Sequence, residues 1–495
     1  MTDLAAPGIP SISTDWAYAR ECDEADPLAC YRERFLLPEE GLIYLDGNSL
    51  GPLMHATREV VEELTVRQWG EELIESWNAH WWDLPVQLGD LVAPLVGASP
   101  GEVVMADSTS VNLYKLAHGA LKLRQGRTRV VSDTLNFPTD LYILQGILKE
   151  AGPQYELVLA GSRDGIHPDL EELEALITEE TALVVLSAVL FKSGYFYDMA
   201  AVTEMAHRKG ALVLWDLSHA TGAVPLALDA AGADLAVGCT YKYLNGGPGS
   251  PAFLYVRKDL QPQLESPLQG WFGERNPFRF GLAYAPAESI RKYLAGTPPI
   301  LSMAAVKPGV KILLEAGMTR IREKSLRQGE YLIYLAGELL SPLGFSVASP
   351  TDPARRGSHI ALRHPEVFRI CQALIHPLNG EEAKGEELRK NPGPGEHSGH
   401  PSDENGFQSP GISHPEGNSG WGVNNEIDPV VPGSLERMGK KVRVIPDFRA
   451  PDNIRLAITP LYTTWSNLLT AVQRMREIAE RREYLRFSPM QKPVT

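Results

Sequence analysis

The sequence predicts an α/β protein, with a mostly parallel sheet in a large domain and a smaller α+β C-terminal domain after it. Three observations carry this. Short apolar runs alternate with helical stretches over 102–216, a glycine-flanked strand–turn–strand interrupts the rhythm over 233–256, and the apolar run NIRLAIT follows a long polar interval. Repeated strand–helix order puts helices on both faces of a parallel sheet, and the strand ends of such sheets converge on one crevice.

The first forty residues read as a polar arm with short helices. GLIYLDGNSLGPL then punctuates the chain with Gly47, Gly51 and Pro52 before a helix over about 54–70. Strands follow at EVVMAD, TRVVSD, YELVLA, ALVVLSAV and ALVLWD, with helices at about 111–123, from 139, at 169–177 and at 199–209. After Pro298, ILSMAAVKPGVKILLEAG predicts one long connecting helix. The domain reading is 1–55 for an N-terminal arm and substrate-side segment, 56–300 for the large domain and 301–495 for the small one. Within the last, 379–439 is rich in Gly, Pro, Glu, Asn and Ser, so ordering it costs entropy without matching burial. A mobile insertion is expected, with a lid or partner-binding segment as the other reading.

Composition sets the outer bounds. At 495 residues and 43% hydrophobic content the chain can bury a large core without staples. A formal charge of −15 and the lack of a basic stripe argue against nucleic acid. The best apolar run, ALVVLSAVLF, is far short of the roughly 20 residues a membrane helix needs. Four cysteines without a CxxC rhythm, and an opening MTDLAAPGIP unlike a signal peptide, point to the cytoplasm. His397, His400 and His414 lack a ligand pattern, so no metal is expected.

The chemistry centres on Asp216, ending ALVLWD, and Lys242 in TYKYLNGG. A strand-end carboxylate can keep a pyridine nitrogen protonated, and a lysine across a crevice can condense with an aldehyde; together they suit pyridoxal 5′-phosphate (PLP). The plainer reading is that Asp216 caps the next segment and Lys242 reaches water. Ser108, Thr109 and Ser110 stand at a strand-to-helix junction, where hydroxyls and free N–H groups can hold a phosphate or simply cap the helix. In NFPTD, Phe137 can stack on a ring or pack in the core, and Thr139 or Asp140 can bond its substituents or cap a helix. His219 and Tyr241 can likewise face a cofactor, and Arg455, opening RLAIT, can fork a carboxylate.

Taken together, STSVNLYK, NFPTD, WDLSHATG, TYKYLNGGPG, QGWFG, GTPPIL, RGSHIALRHP and IRLAITPLY, in that order, resemble kynureninases, fold-type-I PLP enzymes related to class V aminotransferases. The resemblance implies Lys242 as the lysine joined to the cofactor, Asp216 as the ring-nitrogen partner, and Tyr241 and Lys242 as proton carriers. It implies Thr109, Ser110, Phe137, Pro138, Thr139, Asp140, Ser187, His219 and Tyr241 as cofactor contacts. Arg455 matches the α-carboxylate receiver. Trp271 and Thr297 resemble residues that reach a neighbouring subunit's phosphate, which implies a homodimer with composite sites. Asn48, Ser49, His80 and Trp81 are aryl-pocket candidates, although an aromatic helix face packed into core or interface is the competing reading of ESWNAHWWDLP. The implied reaction is hydrolysis of L-kynurenine, or its 3-hydroxy form, to the anthranilate and L-alanine. Related aminotransferase or desulfurase activity, and a PLP-binding regulator without turnover, are the alternatives.

Overall fold

The computed structural model describes residues 11–37, 41–377 and 442–489, so the 379–439 segment lies outside the described residues. Two units are distinguished, Met1–Ile375 with Val444–Thr495, and His376–Arg443.

Strand β1 (Leu42–Tyr44) precedes a seven-stranded sheet built from β2 (Val103–Ala106), β3 (Arg129–Asp133), β4 (Glu156–Ala160), β5 (Thr181–Ser187), β6 (Leu212–Asp216), β7 (Leu235–Gly238) and β8 (Ala252–Val256). Their order is β2-β8-β7-β6-β5-β3-β4. The β7-β6-β5-β3-β4 run is parallel, and β8 is antiparallel to both of its neighbours. Along β5 and β6 successive residues enter opposite cores: Val184, Leu186, Val213 and Trp215 face one, and Leu183, Val185, Leu212 and Leu214 the other. Burial on both faces is why these strands read as continuous apolar runs, each fully buried Val or Leu contributing about 1.5–3 kcal/mol.

The helices predicted between these strands form at Thr109–Leu123, Pro138–Ala151, Leu170–Leu176 and Met199–Arg208. Two expectations change in detail. The early helix is α-helical only over His55–Glu63 and continues as a π-helix over Leu64–Glu71. The long connecting helix is two, Ile300–Ala304 and Val306–Ala316, because Pro308 lacks an N–H and its ring crowds the carbonyl four residues back.

A second sheet contains β9 (Ser346–Val347), β10 (His359–Arg363), β12 (Asp447–Arg449) and β13 (Asn453–Ala457), in the order β12-β13-β10-β9 and antiparallel throughout. Between β10 and β12 in sequence lies β11 (Arg443–Ile445), whose Ile445 carbonyl accepts from the Leu45 N–H. The register sets Arg455 opposite Ala361 on one side and Asp447 on the other, and His359 opposite Ala457.

Candidate active site

Lys242 follows β7 in a tight turn. The Asn245 N–H donates to the Lys242 carbonyl (2.9 Å) and the Gly246 N–H to the Thr240 carbonyl (2.8 Å), with Asn245 in the left-handed region at φ +52°. From the early segment, the Gly51 N–H donates to the Tyr241 carbonyl at 2.8 Å. A Cβ on Gly51 would stand 2.4 Å from Asn245 Oδ1 and 2.5 Å from the Lys242 carbonyl oxygen, so only glycine lets the two backbones approach this closely. The glycines around TYKYLNGG thus serve to aim one lysine.

That lysine reaches a cluster. Its Nζ is 3.3 Å from His219 Nε2, 6.0 Å from the Phe137 ring centroid and 5.7 Å from that of Tyr241. Phe137 meets Phe191 edge-on at 5.3 Å. His219 is buried, and burial with the nearby Lys242 charge drives its pKa well below the usual value, so the ring is neutral. Its neighbour His359, 6.1 Å away between centroids, is fully buried with both ring nitrogens unpartnered and a pKa pushed down to about 3 by burial and Arg455.

Asp216 ends β6 beside Ser187 of β5 and accepts the Ser218 N–H at 2.8 Å. Asp140, from the first turn of Pro138–Ala151, is also buried. Burial raises the pKa of both; Asp216 adds to the rise at Asp140, while Lys242 opposes it at each. Asp140 Oδ2 has no hydrogen-bond partner. Two enclosed carboxyl groups with an open acceptor fit a cationic ring N–H, which would relieve their repulsion. Ser187 Oγ donates to Asn136 Oδ1 at 2.6 Å. Pro138 is exposed and Thr139 half-buried at the same helix start.

On the same edge of the sheet, where β2 ends three strands away from β6, Ser108 caps Thr109–Leu123 by accepting the Val111 N–H at 3.3 Å. With Ser108 engaged as the cap, Thr109 and Ser110 occupy the first helical positions, whose N–H groups have no partner inside the helix. The chain therefore offers a lysine, a carboxylate pair, an aromatic face and an anion-binding helix start, which together fit PLP.

Arg455 is fully buried. Its Nε and Nη2 converge on Asp447 Oδ2, Nη1 donates to the Phe191 carbonyl and Nη2 approaches Ser49 Oγ at 3.3 Å. Asp447 also pairs with Arg449 at 3.0 Å. Asn48 is fully buried with both amide atoms unpartnered. His80 lies on the π-helix Trp77–Trp81 and is engaged by Glu72 at 2.9 Å, away from the Lys242 cluster's hydrogen bonds and ring contacts. Trp81 is buried against Trp77 and Gln68. Trp271 packs on Trp82, Phe272 and Phe278 yet stays exposed, as does Thr297.

Sequence reasoning passed over Asn136, Asp447 and His359. The signal for Asn136 and His359 was their place inside NFPTD and RGSHIALRHP, and for Asp447 the period-two DFR run before NIRLA. Among the described residues no helix is long and apolar enough to cross a membrane, and no group of three or more acidic, His or Cys side chains could hold a metal.

This fold and lysine–aspartate constellation are those of class V, fold-type-I PLP enzymes. The aminotransferase class-V family model matches residues 86–381, and the kynureninase C-terminal domain model matches 436–475. Similar solved structures include the cysteine desulfurase of Thermococcus onnurineus NA1 (TM-score 0.65, 15% identity, 93% of this chain and 98% of that one) and a cysteine desulfurase of Escherichia coli (0.65, 16%, 92% and 98%). At such identity they speak to fold alone. Kynureninase of Pseudomonas fluorescens is 38% identical over 467 residues, covering 93% of this chain and 95% of its own. Kynureninase of Burkholderia pseudomallei (strain K96243) is 37% identical over 463 residues, covering 92% and 94%. The chain belongs to the kynureninase family, and is a PLP-dependent hydrolase.

Proposed function

We propose that the enzyme hydrolyses the bond between the β- and γ-carbons of L-kynurenine, and of its 3-hydroxy form, releasing the anthranilate and L-alanine, as a cytoplasmic homodimer. The observation that carries this is the meeting of half-buried Lys242 with buried Asp216 and His219 in one cluster that His359 of β10 extends toward the arginine strand β13.

Bound PLP supplies an aldehyde that captures amines and a ring that withdraws electrons from the substrate α-carbon. Asp216 would hold the ring nitrogen protonated, Thr109 and Ser110 would bind the phosphate, and Phe137 would pack on the ring. Arg455 receives the α-carboxylate, Lys242 carries the α-proton, and Tyr241, whose phenol burial keeps protonated, assists later proton transfers. One water is consumed: its oxygen ends on the anthranilate carboxylate, and a proton ends on the alanine methyl group. Asn48, buried with open donors and acceptors, is favoured for the aryl ketone over His80, which Glu72 already engages.

The desulfurase reading needs an ionisable, accessible cysteine on a loop facing the cofactor. Cys371 is buried, and burial raises its thiol pKa well above normal; Cys239 is buried and raised for the same reason. The exposure of Trp271 and Thr297 on the single chain supports their use by a partner subunit, and an exposed free thiol at Cys30 suits a reducing compartment. Incubating PLP-loaded protein with L-kynurenine should yield anthranilate and alanine in equal amounts without pyruvate. Products that appear only with pyruvate would overturn hydrolysis in favour of transamination, and a yellow protein without turnover would leave the regulator. Sedimentation reports the dimer, and fractionation the compartment.

A further inference from the structure

The turn that leads into the phosphate-binding helix start is left-handed and is held by a buried cation. Asp107, between β2 and Thr109–Leu123, adopts φ +40°, a left-handed conformation uncommon outside glycine but tolerated better by aspartate than by most residues. Three bonds hold it. Asn112 Nδ2 donates to the Ala106 carbonyl at 2.6 Å, the Ala252 N–H of β8 to the Asp107 carbonyl at 2.8 Å, and Lys115 Nζ to Asp107 Oδ2 at 2.7 Å. Lys115 is fully buried, and its second bond runs to the Tyr293 carbonyl at 2.7 Å.

A wholly enclosed lysine is costly unless its charge is matched, and Asp107 matches it. The pairing has a consequence for the helix start. An unpaired carboxylate immediately before Ser108–Thr109–Ser110 would repel a phosphate dianion, whereas the Lys115 ammonium cancels that charge and fixes the direction of the turn. The same ammonium grips Tyr293, four residues before Thr297.

We propose that Lys115 is a positioning residue for the cofactor phosphate: it neutralises Asp107, locks the turn that aims the Thr109 and Ser110 donors, and ties that turn to the strand of chain bearing Thr297. This rests on the reading of Thr109 and Ser110 as the phosphate site.

The test compares binding of PLP and of pyridoxal, which has the aldehyde but no phosphate, to cofactor-stripped full-length protein, following the visible absorption band. Lys115→Met should weaken PLP about tenfold and pyridoxal less than about twofold. Removing the carboxylate as well, in the Lys115→Met/Asp107→Asn double variant, should recover most of the PLP affinity. Equal weakening of both ligands means that Lys115 only supports the fold, and unchanged PLP binding means that it supports neither; each overturns the proposal. If Lys115→Met binds neither ligand because it does not fold, Lys115→Gln paired with the same Asp107→Asn change decides by the same comparison. Thr109→Pro/Ser110→Ala, which removes both hydroxyls and one backbone N–H at a position where proline is tolerated, separates the premise: if it weakens PLP while Lys115→Met does not, the phosphate site stands and Lys115's role falls; if it leaves PLP binding untouched, the phosphate site itself falls, and the proposal with it.

Discussion

The Lys242 amine stands over the face of the His219 imidazole, 3.4 Å from Nδ1 and 3.3 Å from Nε2. A hydrogen bond in the ring plane would favour one nitrogen and leave the other distant, so near-equality marks a face contact. Because the ring is neutral, it supports the amine without exchanging a proton with it. His219→Ala should therefore lower kcat/KM about tenfold, and His219→Phe, which keeps a flat ring, distinctly less. Steady-state anthranilate release measures both. Equal losses would show that an imidazole nitrogen is needed.

Asp46 predicts a pH effect. Its pKa is raised to about 7, first by burial and then by the neighbouring Asp447 charge. A carboxyl raised above its unfolded value of about 4 favours the fold while protonated, and that contribution is lost as pH climbs through about 7. Asp46→Asn cannot ionise, so its melting temperature should exceed that of the unsubstituted enzyme by a margin that opens between about pH 4 and about pH 7 and is level above that. The ionised Asp46 also adds negative charge near Arg455, so KM for kynurenine should rise as pH passes through about 7 in the parent and stay level in the variant. A constant margin in melting temperature would contradict the assignment.

Arg455 sets Nε and Nη2 on Asp447 Oδ2 while also bonding the Phe191 carbonyl and Ser49, a set of partners that needs a planar guanidinium. Lysine carries the charge without the geometry. Arg455→Lys should raise KM about a hundredfold with a smaller change in kcat, as expected for a group that binds the carboxylate equally in ground and transition states. A loss confined to kcat would place Arg455 in proton transfer instead.

These contacts also show what the sequence could disclose. The parallel sheet was legible because β5 and β6 bury both faces, and Lys242 and Asp216 because each sits at a strand end beside punctuating residues. Asp447 was not, since its meaning comes from the β12–β13 register that sets it against Arg455, and register is a long-range property. The split of the connecting helix was locally signalled by Pro308, but the apolar run around it masked the break. His80 lies in a run of aromatics where sequence offers no means of knowing that Glu72, eight residues earlier, will engage it.

Asn136 fixes the role of Ser187. The Phe137 N–H donates to Asn136 Oδ1 at 2.8 Å, while Nδ2 faces Ser132 Oγ at 3.0 Å and the Val185 carbonyl at 3.4 Å, so the amide can stand only one way round. Ser187, 2.6 Å from Oδ1, must then donate its single proton to Asn136, which would leave it only lone pairs to offer the cofactor. Asn136→Ala releases that proton, and a Ser187 able to donate to the cofactor's ring oxygen stabilises its anionic form. The pH midpoint of the visible band should fall by about one unit, the worth of one hydrogen bond. Adding Ser187→Ala should abolish the shift, because the released donor is gone. A midpoint that moves equally in the double variant would trace the effect to Phe137, which loses the same amide anchor, and would leave Ser187 without a part in it.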